Sequence, residues 1–234
     1  MNRFIRIPFF LGLAALLGFG LASCGGSGSL VKSEKELRKE ITKRALKEAR
    51  KEARQYRRDG YMATPGSLPL DKQLQNTWFK ILQTDEQGRQ AYLHADGNAV
   101  AETRTAAGMM ALETAKLALA GQMESRITAL IKGNIGNSQL NREEAASVSK
   151  VLSASKNIIA TRLHRVDPTL KMWREVRRSK NVEVNVKIVY AWGDAKEMAK
   201  ETLRQQLDGE IEDLHKKLDN LLDIDEAAPA GSAS

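Results

Sequence analysis

The sequence predicts an α+β fold: a small, mostly antiparallel sheet packed against two long helices, with further helices flanking it on the N- and C-terminal sides. Three observations carry this. Val182 to Trp192 alternates apolar and polar residues with period two, the pattern of a strand in a sheet with one covered face. Leu170 to Arg177 reads as a second strand, and the short link Arg178 to Asn181 makes the two an antiparallel hairpin. Ala99 to Lys132 and Arg142 to Leu163 repeat apolar residues at helical spacing over most of their lengths.

Residues 1–23 have the three parts of an export signal. Arg3 and Arg6 supply a positive start, and Pro8 to Ala22 is almost wholly apolar. That run is shorter than the roughly 20 residues a helix needs to cross a bilayer. It ends in Leu21-Ala22-Ser23-Cys24, which resembles the lipobox of bacterial lipoproteins, where small residues precede a cysteine that receives a diacylglyceryl group. The chain holds 1 cysteine. A lone cysteine forms no internal disulfide, which leaves lipidation as the use its position suggests; the bland alternative is a secretory signal with a cysteine at its cleavage point by chance. Two or three acyl chains, at about 0.8 kcal/mol per buried methylene, make a durable anchor. No cofactor is implied.

Gly25 to Val31 continues the lipidated cysteine as a flexible tether (24–31). A strongly basic segment follows, expected as a helical stalk over 32–60. Its candidate contacts for an anionic surface are Lys32, Lys35, Arg38, Lys39, Lys43, Arg44, Lys47, Arg50, Lys51, Arg54, Arg57 and Arg58. Set against five glutamates they leave this stretch at +7, while the chain without residues 1–23 sums to +6, two arginines fewer than the +8 of the whole. Leu37, Ile41, Ala45, Ala49, Ala53 and Tyr56 form a narrow apolar stripe along it. Two readings stay open: a surface that lies against membrane phosphates, peptidoglycan carboxylates or an acidic protein face, or a solvated stalk whose interleaved glutamates argue against dedicated anion binding.

The α+β domain with its C-terminal helix is expected over 68–224. Gly60 to Pro69 breaks the chain. Leu68 to Leu82 reads as a short helix with Leu70, Leu74, Trp78, Ile81 and Leu82 on one face. Arg89 to Ala95 is predicted as a strand, and Asp96-Gly97-Asn98 as the turn that ends it. Gly108 and Gly121 interrupt the long helix and mark places where another element approaches. Asn141 and Glu144 form a capping box for the next helix, which Asp167-Pro168 stops. Asp194 and Glu197 form another, opening a last helix to Leu222. There Leu207, Ile211, Leu214, Leu218 and Leu221 make a short coiled-coil seam, packing within the chain or joining it to a second copy. Residues 225–234 have the composition of a disordered tail.

Little in the sequence points to catalysis. His94, His164 and His215 lie in three separate elements with no metal-ligand spacing, and Ser153 to Lys156 has the bare Ser-x-x-Lys spacing without its partner motifs. No glycine-rich phosphate loop follows a strand. No catalytic or metal residue is therefore predicted. Trp173 and Trp192 are expected in the core.

From Arg89 onward, Ala91 to Gly97, the run Thr103 to Met123, Trp173 and the strand Val182 to Trp192 resemble the Lpp-twenty lipoprotein family, and more loosely the N-terminal domain of flagellar assembly protein T. The resemblance covers about residues 85–200. It implies an α+β domain on a lipidated anchor, with no catalytic residues to carry over. Together these readings point to a palmitate-bearing, membrane-anchored component of a bacterial envelope, structural or interacting rather than enzymatic. The alternative is a module that binds peptidoglycan or anionic lipid through 32–58. Expected partners are the membrane, an envelope protein or peptidoglycan, with no nucleic acid, and self-association through 194–222 is a further option. If the source is Gram-negative, Gly25, where aspartate would signal inner-membrane retention in many such systems, favours an outer-membrane anchor, with the domain facing the periplasm.

Overall fold

Helix α1, Glu34–Arg58, forms because nearly every residue in it is a strong helix former, and its charges suit the helix dipole, with Glu34 and Glu36 in the first turn and Arg57 and Arg58 in the last. It stops at Gly60, whose φ of 84° is the left-handed conformation glycine adopts without strain. Gly60 N–H donates to the Arg57 carbonyl and Tyr61 N–H to that of Tyr56, the pair of bonds that closes a Schellman motif. The computed structural model describes residues 34–85, 87–133, 142–163, 166–206 and 217.

After α1 come β1 (Met62–Ala63), α2 (Leu70–Ile81), β2 (Tyr92–Ala101), α3 (Arg104–Gly133), α4 (Arg142–Ala154), α5 (Lys156–Arg162), β3 (Leu170–Glu175), β4 (Val182–Ala191) and α6 (Trp192–Gln206). The sheet has four antiparallel strands in the order β1-β3-β4-β2. The α+β class read from the sequence is thus the class observed. The β3–β4 hairpin also closes where the spacing placed it, through Arg178 at a φ of 59°.

Both faces of the sheet are covered. On one, Val184, Val186 and Ile188 of β4 and Leu93 and Ala95 of β2 pack against α3, α4, α5 and α6, with Met123, Ile127, Leu152, Ile159 and Leu203 fully buried among them. On the other, Leu170 and Met172 of β3 meet Leu70 and Leu74 of α2 and Ala49 and Ala53 of α1. The small residues at every fourth position of α1 let it lie close to its neighbour. α2 runs antiparallel to it, with Arg57 paired to Asp71 at 2.9 Å and Trp78 donating to Glu52 at 2.6 Å.

Several sequence expectations are corrected here. Asp96-Gly97-Asn98 is not a turn: β2 runs straight through it, in register with Lys187, Val186 and Asn185 of β4. Glycine is needed there because α3 crosses so near that a Cβ on Gly97 would sit 1.9 Å from the Ala111 carbonyl oxygen. The long helix consequently begins at Arg104, with Ala99 to Ala101 in the strand, and Thr103 Oγ1 accepts the Ala106 N–H at its start. The helix predicted to run to Leu163 is two, broken at buried Ser155, whose hydroxyl donates to the Val151 carbonyl at 2.8 Å. Helix α6 starts at Trp192, directly out of β4, so Asp194 lies in its first turn rather than at its cap.

The sheet was expected to have one solvated face, but Lys187 and Val189 on that side are buried. The segment expected as a stalk puts Ala49 and Ala53 into the second core, because the Ala stripe seals the face of the sheet that would otherwise be wet. Gly108 and Gly121 are contact points as expected, though what approaches them is the tip of a lysine: Lys171 Nζ would stand 3.0 Å from a Cβ at Gly108, and Lys156 Nζ 3.1 Å from one at Gly121. Trp192 is buried, and Trp173 packs at the edge of the same core. The seam from Leu207 to Leu221 and the Asn141 cap lie outside the described residues. Lys217, the one described residue past Gln206, pairs with Glu144 of α4 at 3.2 Å.

Candidate functional site: the basic helix and its polar seat

The basic residues predicted as contacts are all on α1, apart from Lys32, which like Cys24 lies outside the described residues. Lys35, Arg38, Lys39, Lys43, Arg44, Lys47, Arg50, Lys51, Arg54, Arg57 and Arg58 are all exposed. Residues 34–40 are exposed on every side, and from Ala45 onward one side of the helix is buried.

At about 100° per residue, Lys43, Arg44, Lys47, Arg50, Lys51, Arg54 and Arg58 share a sector of roughly 120° facing away from Ala45, Ala49 and Ala53. No carboxylate of residues 43–58 falls in that sector. Glu48 and Glu52 lie on the flank beside α2, where they line a small cleft with Trp78 that Lys51 and Arg58 border as well. Among the described residues, Lys43, Arg44, Lys47, Arg50 and Lys51 take part in no ion pair. Arg54 donates to the Arg50 carbonyl and Arg58 to Gln55.

Beneath this face the helix rests on two carboxylate hubs that the sequence did not reveal. Glu52 accepts from the Tyr56 hydroxyl at 2.9 Å and from Trp78 Nε1 at 2.6 Å, and lies 3.4 Å from Lys187 Nζ. Lys187 is held on its other side by Asp96 at 3.4 Å. Burial, then the Glu52 carboxylate, raises the Tyr56 hydroxyl well above its usual range. His94 is half-buried beside this group, and burial together with Lys187 lowers its pKa.

Glu183 is the second hub. It accepts from Tyr61 at 2.9 Å, Asn98 at 2.7 Å and Arg174 at 2.6 Å. Arg174 also lies over the Tyr61 ring, 4.5 Å from its centroid, and donates to the Asp59 carbonyl at 3.0 Å. The C-terminal end of α1 is thereby tied to β3 and β4. A groove of about 630 Å³ opens there, but Arg58, Arg174 and Arg177 in it are balanced by Asp59, Glu175 and Glu183.

The pH response of this second hub follows from its direction of shift. Burial works to raise the Glu183 pKa, but the bonds from Arg174, Asn98 and Tyr61 outweigh it and hold the carboxyl below its ordinary 4.5. A depressed carboxyl stabilises the fold fully above its unfolded pKa and loses that contribution as pH falls through the native value. Tyr61 is pushed up to about 12 by burial and by Glu183, so its contribution is complete below pH 10.0 and lost as pH rises toward 12. Acid and alkaline unfolding followed by circular dichroism should show Glu183→Gln flattening the acid limb. An acid limb unchanged in that variant would contradict the role given to Glu183.

A lysine in an alternating strand reads as solvent-facing, and a glutamate among lysines reads as a helical ion pair. The one available signal was the apolar stripe of α1, which shows that some face of the helix must be covered. Elsewhere, Val100, Met109, Met110 and Leu117 are the large exposed apolar side chains of β2 and α3. Among the described residues no group of three His, Cys, Asp or Glu side chains is placed to hold a metal ion, and no helix is long and apolar enough to cross a membrane. Compared with protein families, curated proteins and solved structures, the chain matches none.

Proposed function

We propose that this chain is a bacterial envelope lipoprotein, anchored by acyl chains on Cys24, whose α+β domain serves as a structural or interaction component. The observation that carries the reading is Leu21-Ala22-Ser23-Cys24 after an apolar run, with the chain's lone cysteine at the point of modification. Ten residue steps separate Cys24 from the start of α1, so the tether reaches at most about 35 Å. The domain therefore stays beside the membrane. The resemblance to the Lpp-twenty lipoproteins, carried by Thr103 to Met123 and Val182 to Trp192, agrees with this and belongs to the same proposal.

A non-enzymatic role fits what the buried polar groups do. Lys187, which is buried, and Glu52, Glu183 and Arg174, which are partly buried, are each engaged in bonds that fasten α1 and Tyr61 to the sheet, which accounts for their placement without a reaction. A protein partner of the envelope would find exposed apolar side chains at Val100, Met109, Met110 and Leu117. If the source is Gram-negative, Gly25 directs the anchor to the outer membrane and the domain to the periplasm.

Cells producing the chain should incorporate labelled palmitate into it, and Cys24→Ala should abolish the label and release the protein from the membrane fraction. Undiminished labelling or membrane attachment in Cys24→Ala would overturn the proposal.

A further inference from the structure

We infer that the outer face of α1 between Lys43 and Arg58 docks on the anionic phospholipid headgroups of the membrane that carries the anchor, so that the helix lies along the bilayer. This names the partner of the basic helix and rests on the lipoprotein reading for its distance from the membrane.

Composition left the helix ambiguous, because glutamates are interleaved with the lysines. Between Lys43 and Arg58 the fold removes that ambiguity, although Glu36 and Glu40 of the preceding exposed turns fall on the same side. Glu48 and Glu52 lie on the flank against α2, and Glu52 is occupied by Tyr56, Trp78 and Lys187. Seven cations remain together on the outward side, along about 22 Å of helix at 1.5 Å per residue.

The face is also held in a fixed orientation. Ala45, Ala49 and Ala53 are buried, and the hubs at Glu52 and Glu183 fasten the middle and the end of the helix. A solvated stalk needs no such seat. A straight row of cations presented on one side matches a planar anionic surface better than a pocket-shaped ligand. The tether brings the start of α1 to within reach of that surface, and the exposed turns 34–40 let the helix lie flat. The layer formed by α3 and α4 then faces away from the membrane, with Met110 and Leu117 exposed on it.

The test is lysine acetylation of the mature lipidated protein in vesicles of phosphatidylcholine alone or mixed with phosphatidylglycerol, read by mass spectrometry. Lys43, Lys47 and Lys51 should react at least about fivefold more slowly with phosphatidylglycerol present, the factor one cation at an anionic surface is worth. Lys150, exposed on α4, should react equally in both. Added salt should erase the protection. The triple variant Arg50→Gln, Arg54→Gln, Arg58→Gln should lose most of it while its circular dichroism is unchanged.

Flotation with both vesicle types but equal acetylation overturns the inference and leaves the anchor standing. Flotation and protection only with phosphatidylglycerol supports the basic face and overturns the anchor, and flotation with neither overturns both. Protection by added peptidoglycan sacculi, with none from phosphatidylglycerol, also overturns it, in favour of a cell-wall contact.

Discussion

Replacing Gly97 with alanine is expected to destabilise the domain by about 3 kcal/mol or more, the cost of forcing atoms into a packed site that cannot give way. A Cβ there would stand 1.9 Å from the Ala111 carbonyl oxygen and 2.6 Å from the Ala115 amide nitrogen. Both are backbone atoms in the middle of α3, so relief requires the helix to lift from the sheet. Lifting it opens the core that Ala107, Ala111, Ala115 and Leu119 make with Leu93 and Ala95. For a domain of this size the loss corresponds to a fall of roughly 6–12 °C in Tm. Urea unfolding should show a lower midpoint at similar slope. Gly193→Ala is the control, because nothing lies within 4 Å of a Cβ at that position. Equal stability of the Gly97 and Gly193 variants would show that α3 does not lie against β2 as described.

Removal of the Glu52 carboxylate should have the second largest effect, about 3 kcal/mol in Glu52→Ala. The reason is the donors it leaves behind. Trp78 Nε1, the Tyr56 hydroxyl and Lys187 Nζ all converge on it, and Lys187 is buried. Asp96 stays within 3.4 Å of the ammonium but is half-exposed, so it screens the charge without replacing the lost acceptor. Lys187→Met should cost less, because it exchanges a buried cation for an apolar chain of similar length and leaves Glu52 its two other donors. The double variant should be less destabilised than the sum of the two, and the thermal unfolding of all four proteins measures that coupling. A loss in Glu52→Ala no greater than that in Lys187→Met would refute the hub. Stability and surface function meet at this residue, since whatever loosens Glu52 also frees the cationic face of α1 to turn.

The elements most legible in the sequence are those whose local pattern has one interpretation. Val182 to Ala191 alternates with period two, and Val184, Val186 and Ile188 are buried in the first core as that period requires, although Lys187 and Val189 opposite them are buried too. The helical character of α1 and α2 follows from strong helix formers and apolar residues at spacings of three and four, and the stop of α1 from its glycine. Asp96-Gly97-Asn98 misled because the same three residues that favour a turn in isolation also fit a strand crossed by a helix at close range. Ser155 misled in the opposite sense, since a single polar residue inside an apolar period gives no local sign that the helix will break there.

By itself the sequence determined the α+β class, the β3–β4 hairpin and the excess of positive charge on α1, because each is a property of neighbouring residues. Tertiary structure alone decided that the second face of the sheet is covered, that Lys187 is buried between Glu52 and Asp96, and that α1 belongs to the core. Those outcomes depend on pairs such as Glu52 with Lys187 and Tyr61 with Glu183, separated by 135 and 122 positions. No local period carries such information. Which way a charge points is set by what packs against the opposite side of its helix, and here that sorting gives α1 a cationic face between Lys43 and Arg58.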